Sequence, residues 1–130
     1  MSLNDPLSNV LSHLTNSEKR GKQVCVLPLT SKLILEVLAL LRHHHYIGEV
    51  TSVGEGVHTV YHVHLLGNLN ACGPIKPRFS VTWAEIEKFE KRYLPAKGFG
   101  FLVLSTSQGL MIHDEAKEKK VGGKLLAYCY

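Results

Sequence analysis

Apolar residues at Leu7, Val10, Leu11 and Leu14 follow the i, i+3, i+4, i+7 spacing of one helical face. Asn4 or Asp5 can cap that helix and Pro6 suits its first turn, so a helix is predicted up to the basic, glycine-containing loop "SEKRGK". "QVCVLPL" then reads as a strand closed by Pro28. A second helix is expected from about Lys32 to His44, capped by Thr30 or Ser31. Its Leu33, Ile34, Leu35, Val37, Leu38, Leu40 and Leu41 leave little polar face, which predicts burial on most sides. "YIGEVTSV", the turn "GEG" and "VHTVYHVHLLG" read as a hairpin. The first half is therefore expected to run α-β-α-β-β.

The turn-rich stretch "NLNACGPIKP" predicts a boundary between residues 1–67 and 68–130. Beyond it "RFSV" is a short strand, and Thr82 with Glu85 forms a capping-box pattern that opens a helix to about Tyr93. Trp83, Ile86 and Phe89 are expected on its buried face. "LPAKG" breaks the helix, and "GFGFLVLSTSQGLMI" follows as a strand, a hydroxyl-rich loop and a second strand. Asp114 is placed to cap a short basic helix, and Gly122-Gly123 reads as a tight turn into a terminal strand "KLLAYCY". The predicted fold class is thus mixed α/β (α+β): two small domains, the second a mixed β domain with short helices.

Composition narrows the partners. Fifteen Lys and Arg against eleven Asp and Glu give a net charge of +4, which suits a polyanion without demanding one. No apolar run is long enough to cross a membrane, and the N-terminus has neither the basic nor the apolar region of a secretory signal. Cys25, Cys72 and Cys129 are an odd number without metal-type spacing, so they are read as reduced and mostly buried, in a cytosolic-type compartment.

Three constellations invite chemistry. Ser105 or Ser107 with His113 and Asp114 suggests a hydrolase, but "STSQG" lies between two strands rather than on a strand-to-helix elbow. Adjacent His113 and Asp114 are expected to point apart, with His113 at the surface. His58, His62 and His64 are read onto one strand face, and "HHH" at 43–45 onto a helix end, yet no Cys, Asp or Glu completes a four-ligand metal set. No cofactor is expected. The basic residues, among them Lys32, Arg78 and Lys124, cluster at loops and element ends, where phosphates can be met. Ser105, Thr106 and Ser107 at a strand end can donate to phosphates and meet riboses, and Gly109 lets a backbone come close. A turn that satisfies its own backbone remains the competing explanation.

The chain resembles, over nearly its whole length, the family of the eighth protein of the small ribosomal subunit, in its eukaryotic and archaeal branch. The resemblance rests on "DPLSNVLSHLTNSEKRGK", "TSK", "YIGE", "GNLNACGPIKPRF", "GFGFLVLSTSQGLMIHDEA" and "GGKLLAYCY". It implies a non-enzymatic cytoplasmic protein of the small subunit that binds a helical element of the central domain of its rRNA. Such a protein supports subunit assembly and translation beside neighbouring ribosomal proteins, with no membrane and no small-molecule substrate. The implied RNA-binding residues are Ser105, Thr106, Ser107 and Gly109, with Gly122, Gly123 and Lys124 beside them. Asp5, Asn16, Ser31, Lys32 and Arg78 are further contacts that it implies. A small metal- or nucleotide-binding enzyme built on the His face and the hydroxyl loop is the alternative. Two departures from the family pattern stand out. His45 occupies a position where glycine is common, and "PLTSK" is one residue longer than usual.

Overall fold

Leu7, Val10, Leu11 and Leu14 are all buried in the computed structural model of the chain. It describes residues 6–28, 31–76, 78–96 and 98–130. The four lie on α1 (Pro6–Lys19), whose proposed caps Asn4 and Asp5 fall outside the described residues, as does Thr30. β1 (Val24–Pro28) and α2 (Lys32–His43) follow. Ser31 caps α2, its hydroxyl accepting from the Ile34 amide at 3.4 Å. β2 (Ile47–Val53) and β3 (Val60–Leu65) complete an antiparallel sheet of order β1-β3-β2. The α-β-α-β-β order is as expected. One histidine is not: His58 lies on a 3-10 turn, Gly56–His58, and only His62 and His64 share a face of β3.

The end of α2 is shaped for a glycine at position 45. The His45 amide bonds to the carbonyl of Arg42 and that of Tyr46 to Leu41, both at 3.0 Å, which closes the last turn only if residue 45 is left-handed. His45 accordingly has φ 64. A side chain is strained there, so His45→Gly should stabilise the protein by up to about 1 kcal/mol. The Asn68 side-chain amide donates to the His45 carbonyl, a backbone contact that glycine keeps. Urea midpoints of the two proteins check this; a lower midpoint for the glycine variant contradicts it.

The chain divides into two compact units, residues 1–71 and 72–130. In the second, β4 (Cys72–Pro74), β5 (Ser80–Val81), α3 (Ile86–Tyr93), β6 (Phe101–Thr106), β7 (Gly109–Ile112), α4 (His113–Lys119) and β8 (Gly123–Cys129) succeed one another. Four strands run in the order β4-β8-β6-β7, with β5 also paired to β8, and the pairings are antiparallel. Ile86 and Phe89 of α3 pack with Leu102, Leu104, Leu125 and Ile75 in one core. A register shift at Val103/Leu104 leaves Leu126 as an extra residue, so Leu125, Leu126 and Ala127 are buried in succession.

Several local expectations for this unit are corrected. β4 arises in a stretch read as turn, because β8 offers Cys72, Gly73 and Pro74 a partner edge. α3 begins at Ile86 rather than beside Thr82, since Thr82–Glu85 forms a separate turn, and Trp83 is 45% exposed instead of buried. Asp114 lies in the first turn of α4 and does not cap it; the cap position is Ile112. His113 is buried, at 4% exposure, and not at the surface. The turn before β8 is made by Lys120, left-handed at φ 55, while Gly123 already belongs to the strand. All three cysteines are free and buried, as read, and burial pushes the Cys129 thiol well above its ordinary range.

Candidate nucleic-acid interface

The hydroxyl-rich segment is a hairpin. Thr106 and Gly109 close it as partners across a two-residue tip, Ser107-Gln108. Gly109 carries the left-handed step, φ +107, and a Cβ added there would meet nothing within 4 Å. The register runs unbroken into this two-residue turn, and the positive φ at its closing residue itself calls for glycine. The Thr106 hydroxyl is spent within the turn, accepting from the Gln108 amide at 3.1 Å and donating to the Gly109 carbonyl at 2.8 Å. Ser105 and Ser107 are exposed, and their hydroxyls make no hydrogen bond among the described residues. The three hydroxyls are therefore not equivalent. One builds the turn, and two face outward.

The pairing brings distant residues to the same sheet end. Ser80 of β5, Lys124 of β8, Ser105 of β6 and Leu110 of β7 form one cross-strand row. Cross-strand partners share a face, so the Lys124 ammonium is flanked by two serines. Ser80 was not among the residues singled out from the sequence; only its position opposite Lys124 reveals it. The next row is Val81, Gly123, Thr106 and Gly109.

The double glycine has a reason inside the protein. A Cβ on Gly122 would lie 2.4 Å from the Val81 carbonyl oxygen, and one on Gly123 would lie 2.3 Å from that of Ser105. Strands β5 and β6 close on β8 so tightly there that no side chain fits. Arg78 is exposed just before β5. In the first unit, Asn16 is exposed on α1, and Ser31 and Lys32 open α2, with the Ser31 hydroxyl committed to its cap. Asp5 lies outside the described residues.

The hydrolase geometry also resolves. His113 and Asp114 do meet, Nε2 to Oδ1 at 3.3 Å, contrary to the expectation that they point apart. But the other ring nitrogen, Nδ1, accepts from the Leu102 amide at 3.0 Å, deep in the fold. The imidazole is thus a structural acceptor, and His113 completes a half-buried cluster with Glu90 and Lys117 rather than serving the exposed serines. Among the described residues no group of three or more His, Cys, Asp and Glu is placed to hold a metal ion.

The model of one protein family, Ribosomal protein S8, matches residues 5–130. The chain belongs to the ribosomal protein S8 family. It is accordingly a ribosomal protein, a structural constituent of the small subunit, in a family of structural proteins and not of enzymes. The two antiparallel sheets and four α-helices found among the described residues are those of a mixed α+β chain of two small domains. No helix among the described residues is long and apolar enough to cross a membrane.

Proposed function

We propose that this S8-family protein is a primary rRNA-binding protein that grips a helical element of the central domain of small-subunit rRNA. It does so chiefly with its second unit, residues 72–130, and thereby supports subunit assembly and translation. The observation that carries the reading is the pair of outward hydroxyls on Ser105 and Ser107, set beside the exposed ammonium of Lys124 at one sheet end. Short polar groups on rigid strands read RNA shape and 2′-hydroxyls, while an adjacent cation neutralises phosphate. Thr106, Gly109, Gly122 and Gly123 contribute by fixing the backbone that presents those groups. Arg78 makes a backbone contact, and Asn16, Ser31 and Lys32 add contacts from the first unit, where the Lys32 charge supplies affinity rather than selectivity. Neighbouring ribosomal proteins cover other surfaces.

Two substitutions test the reading by comparing opposite kinds of contact. Ser107→Ala should weaken binding to the cognate rRNA fragment by roughly 1–2 kcal/mol, the scale of a hydrogen bond left unmade. It should leave an unrelated duplex and the salt slope unchanged. Lys32→Ala should weaken both RNAs alike and flatten the log K against log salt slope by about 0.7–0.9, one counterion's worth. Filter binding at several salt concentrations measures both. If the Ser107 variant binds cognate RNA as tightly as the parent, its hydroxyl makes no contact with the RNA and the reading fails at that residue.

A further inference from the structure

Trp83 lies in the Thr82–Glu85 turn instead of against the core, and it is nearly half exposed. An indole left in water forgoes stabilisation that the core would have provided, so its place calls for an explanation. The turn that holds it is firm. The Glu85 carboxylate accepts from both the amide and the hydroxyl of Thr82, each at 3.0 Å, and the Glu85 amide returns a bond to the Thr82 carbonyl at 3.0 Å. Those bonds also hold the Glu85 carboxyl below its usual range, so it stays a tied carboxylate. Above the ring, the Lys120 ammonium stands 5.9 Å from the centroid. Its backbone is fixed as well, in the left-handed cap of α4, where the Lys120 amide bonds to Lys117 and that of Val121 to Ala116.

The strand pairing locates this aromatic and cation. Val81, Gly123 and Thr106 are neighbours across β5, β8 and β6, so the next residues, Thr82, Gly122 and Ser107, lie at one and the same end of the sheet. The close approach of Thr82 to Gly122 agrees, with the Thr82 Cα only 3.0 Å from where a Gly122 Cβ would stand. β5 and β6 flank β8, so their ends are about 10 Å apart, two strand spacings. An exposed indole, an ammonium and two outward hydroxyls thus share one rim. Aromatic faces beside cations and short hydrogen-bonding groups are the means by which proteins hold unpaired bases.

We propose that Trp83, with Lys120 over its ring, is a stacking site for one unpaired base of the RNA held at this sheet end. This rests on the rRNA-binding reading and adds a residue, a ligand group and a mode of contact to it. Lys120 neutralises phosphate next to the stacked base, and the rigid turn spares the indole any ordering on binding.

The chain has one tryptophan, so emission excited at the red edge of the indole band, where its five tyrosines do not absorb, reports Trp83 alone. Titrating the full-length protein with the central-domain rRNA fragment should quench its emission over the concentration range in which filter binding saturates, while an unrelated duplex should not. Trp83→Leu, which keeps apolar bulk but offers no aromatic face, should weaken cognate binding about tenfold. Trp83→Phe should retain most of the affinity, and both variants should keep the parent's circular dichroism. Unchanged emission at saturating RNA, with Trp83→Leu binding like the parent, overturns the proposal and leaves a neighbouring protein as the cover for Trp83. Equal losses in the Leu and Phe variants overturn it too, because they indicate a packing role. If the parent fails to bind the fragment, the rRNA-binding reading falls and takes this site with it.

Discussion

Gly123→Ala should destabilise the protein by about 3 kcal/mol, the upper range of overpacking, and lower its melting temperature by roughly 10 °C. The added Cβ would lie 2.3 Å from the Ser105 carbonyl oxygen, 3.0 Å from the Ser105 carbonyl carbon and 3.0 Å from Thr106 Cγ2. Two of those atoms are backbone of the paired strand β6, so no side-chain rotation relieves the clash. Moving β8 away from β6 is no remedy either, because β5 holds its other side at Val81. The strands must part, and Ser105 and Lys124 lose their alignment with them. Gly109→Ala is the control: its Cβ would meet nothing, so only the positive φ is penalised, by about 1 kcal/mol. Thermal melts separate the two effects. A Gly123→Ala protein that melts with the parent but binds RNA poorly would show that the glycine serves RNA approach and not strand packing.

Replacing His113 by Phe should destabilise by about 2 kcal/mol, since the Leu102 amide then keeps no acceptor in a dry site. β7 ends at Ile112, opposite Val103, and the imidazole takes over where the ladder stops, offering Nδ1 to the next amide of β6. The same bond makes stability depend on pH. Nδ1 accepts only while it is unprotonated, and burial lowers the His113 pKa in the fold, although Asp114 and Glu90 nearby work in the opposite direction. A depressed pKa means that the unfolded chain takes up the proton first. The stabilisation is therefore complete above about pH 6.5, the ordinary histidine value, and is lost as pH falls from there through the lower folded value. The slope from this one group cannot exceed about 1.4 kcal/mol per pH unit. Denaturant titrations between pH 7.5 and 5 should show this loss in the parent and a shallower one in His113→Gln, whose side-chain carbonyl can still accept but does not titrate. Parallel curves would remove His113 as the source.

Local patterns were the readable part of this fold. The α1 stripe is buried residue for residue because helical periodicity depends only on neighbours a turn away. The helix cap at Ser31, one of the two hydroxyls offered, is likewise local, whereas the left-handed conformation at His45 is signalled only by the resemblance, through the glycine common at that position. What escaped reading depends on residues far along the chain. Cys72-Gly73-Pro74 looks like a turn until β8 pairs with it, and His113 looks exposed until Leu102 reaches it. Trp83 misled for a different reason. The Thr82 and Glu85 pair that signals a helix start makes its hydrogen bonds as expected but closes a free-standing turn, so the helical phase begins three residues later than Trp83 requires for burial. For the candidate interface, the hydroxyl cluster was legible as a group. Which hydroxyl builds the turn, and that Ser80 stands in line with Ser105, follow only from register.

The chain order of the strands bears on how the protein is made. Among the described strands β8 comes last in chain order, yet it sits inside its sheet and is the partner of β4, β5 and β6. Until residue 129 has emerged, β4 and β5 have nothing to pair with, and only the β6–β7 hairpin is complete. The first unit has its third strand by Leu65 and can close before β8 is made, whereas the second waits on β8. Any truncation within 123–129 therefore strips the second unit of its central partner strand, and a nascent chain carries β4 and β5 as open edges in search of a strand until β8 has emerged.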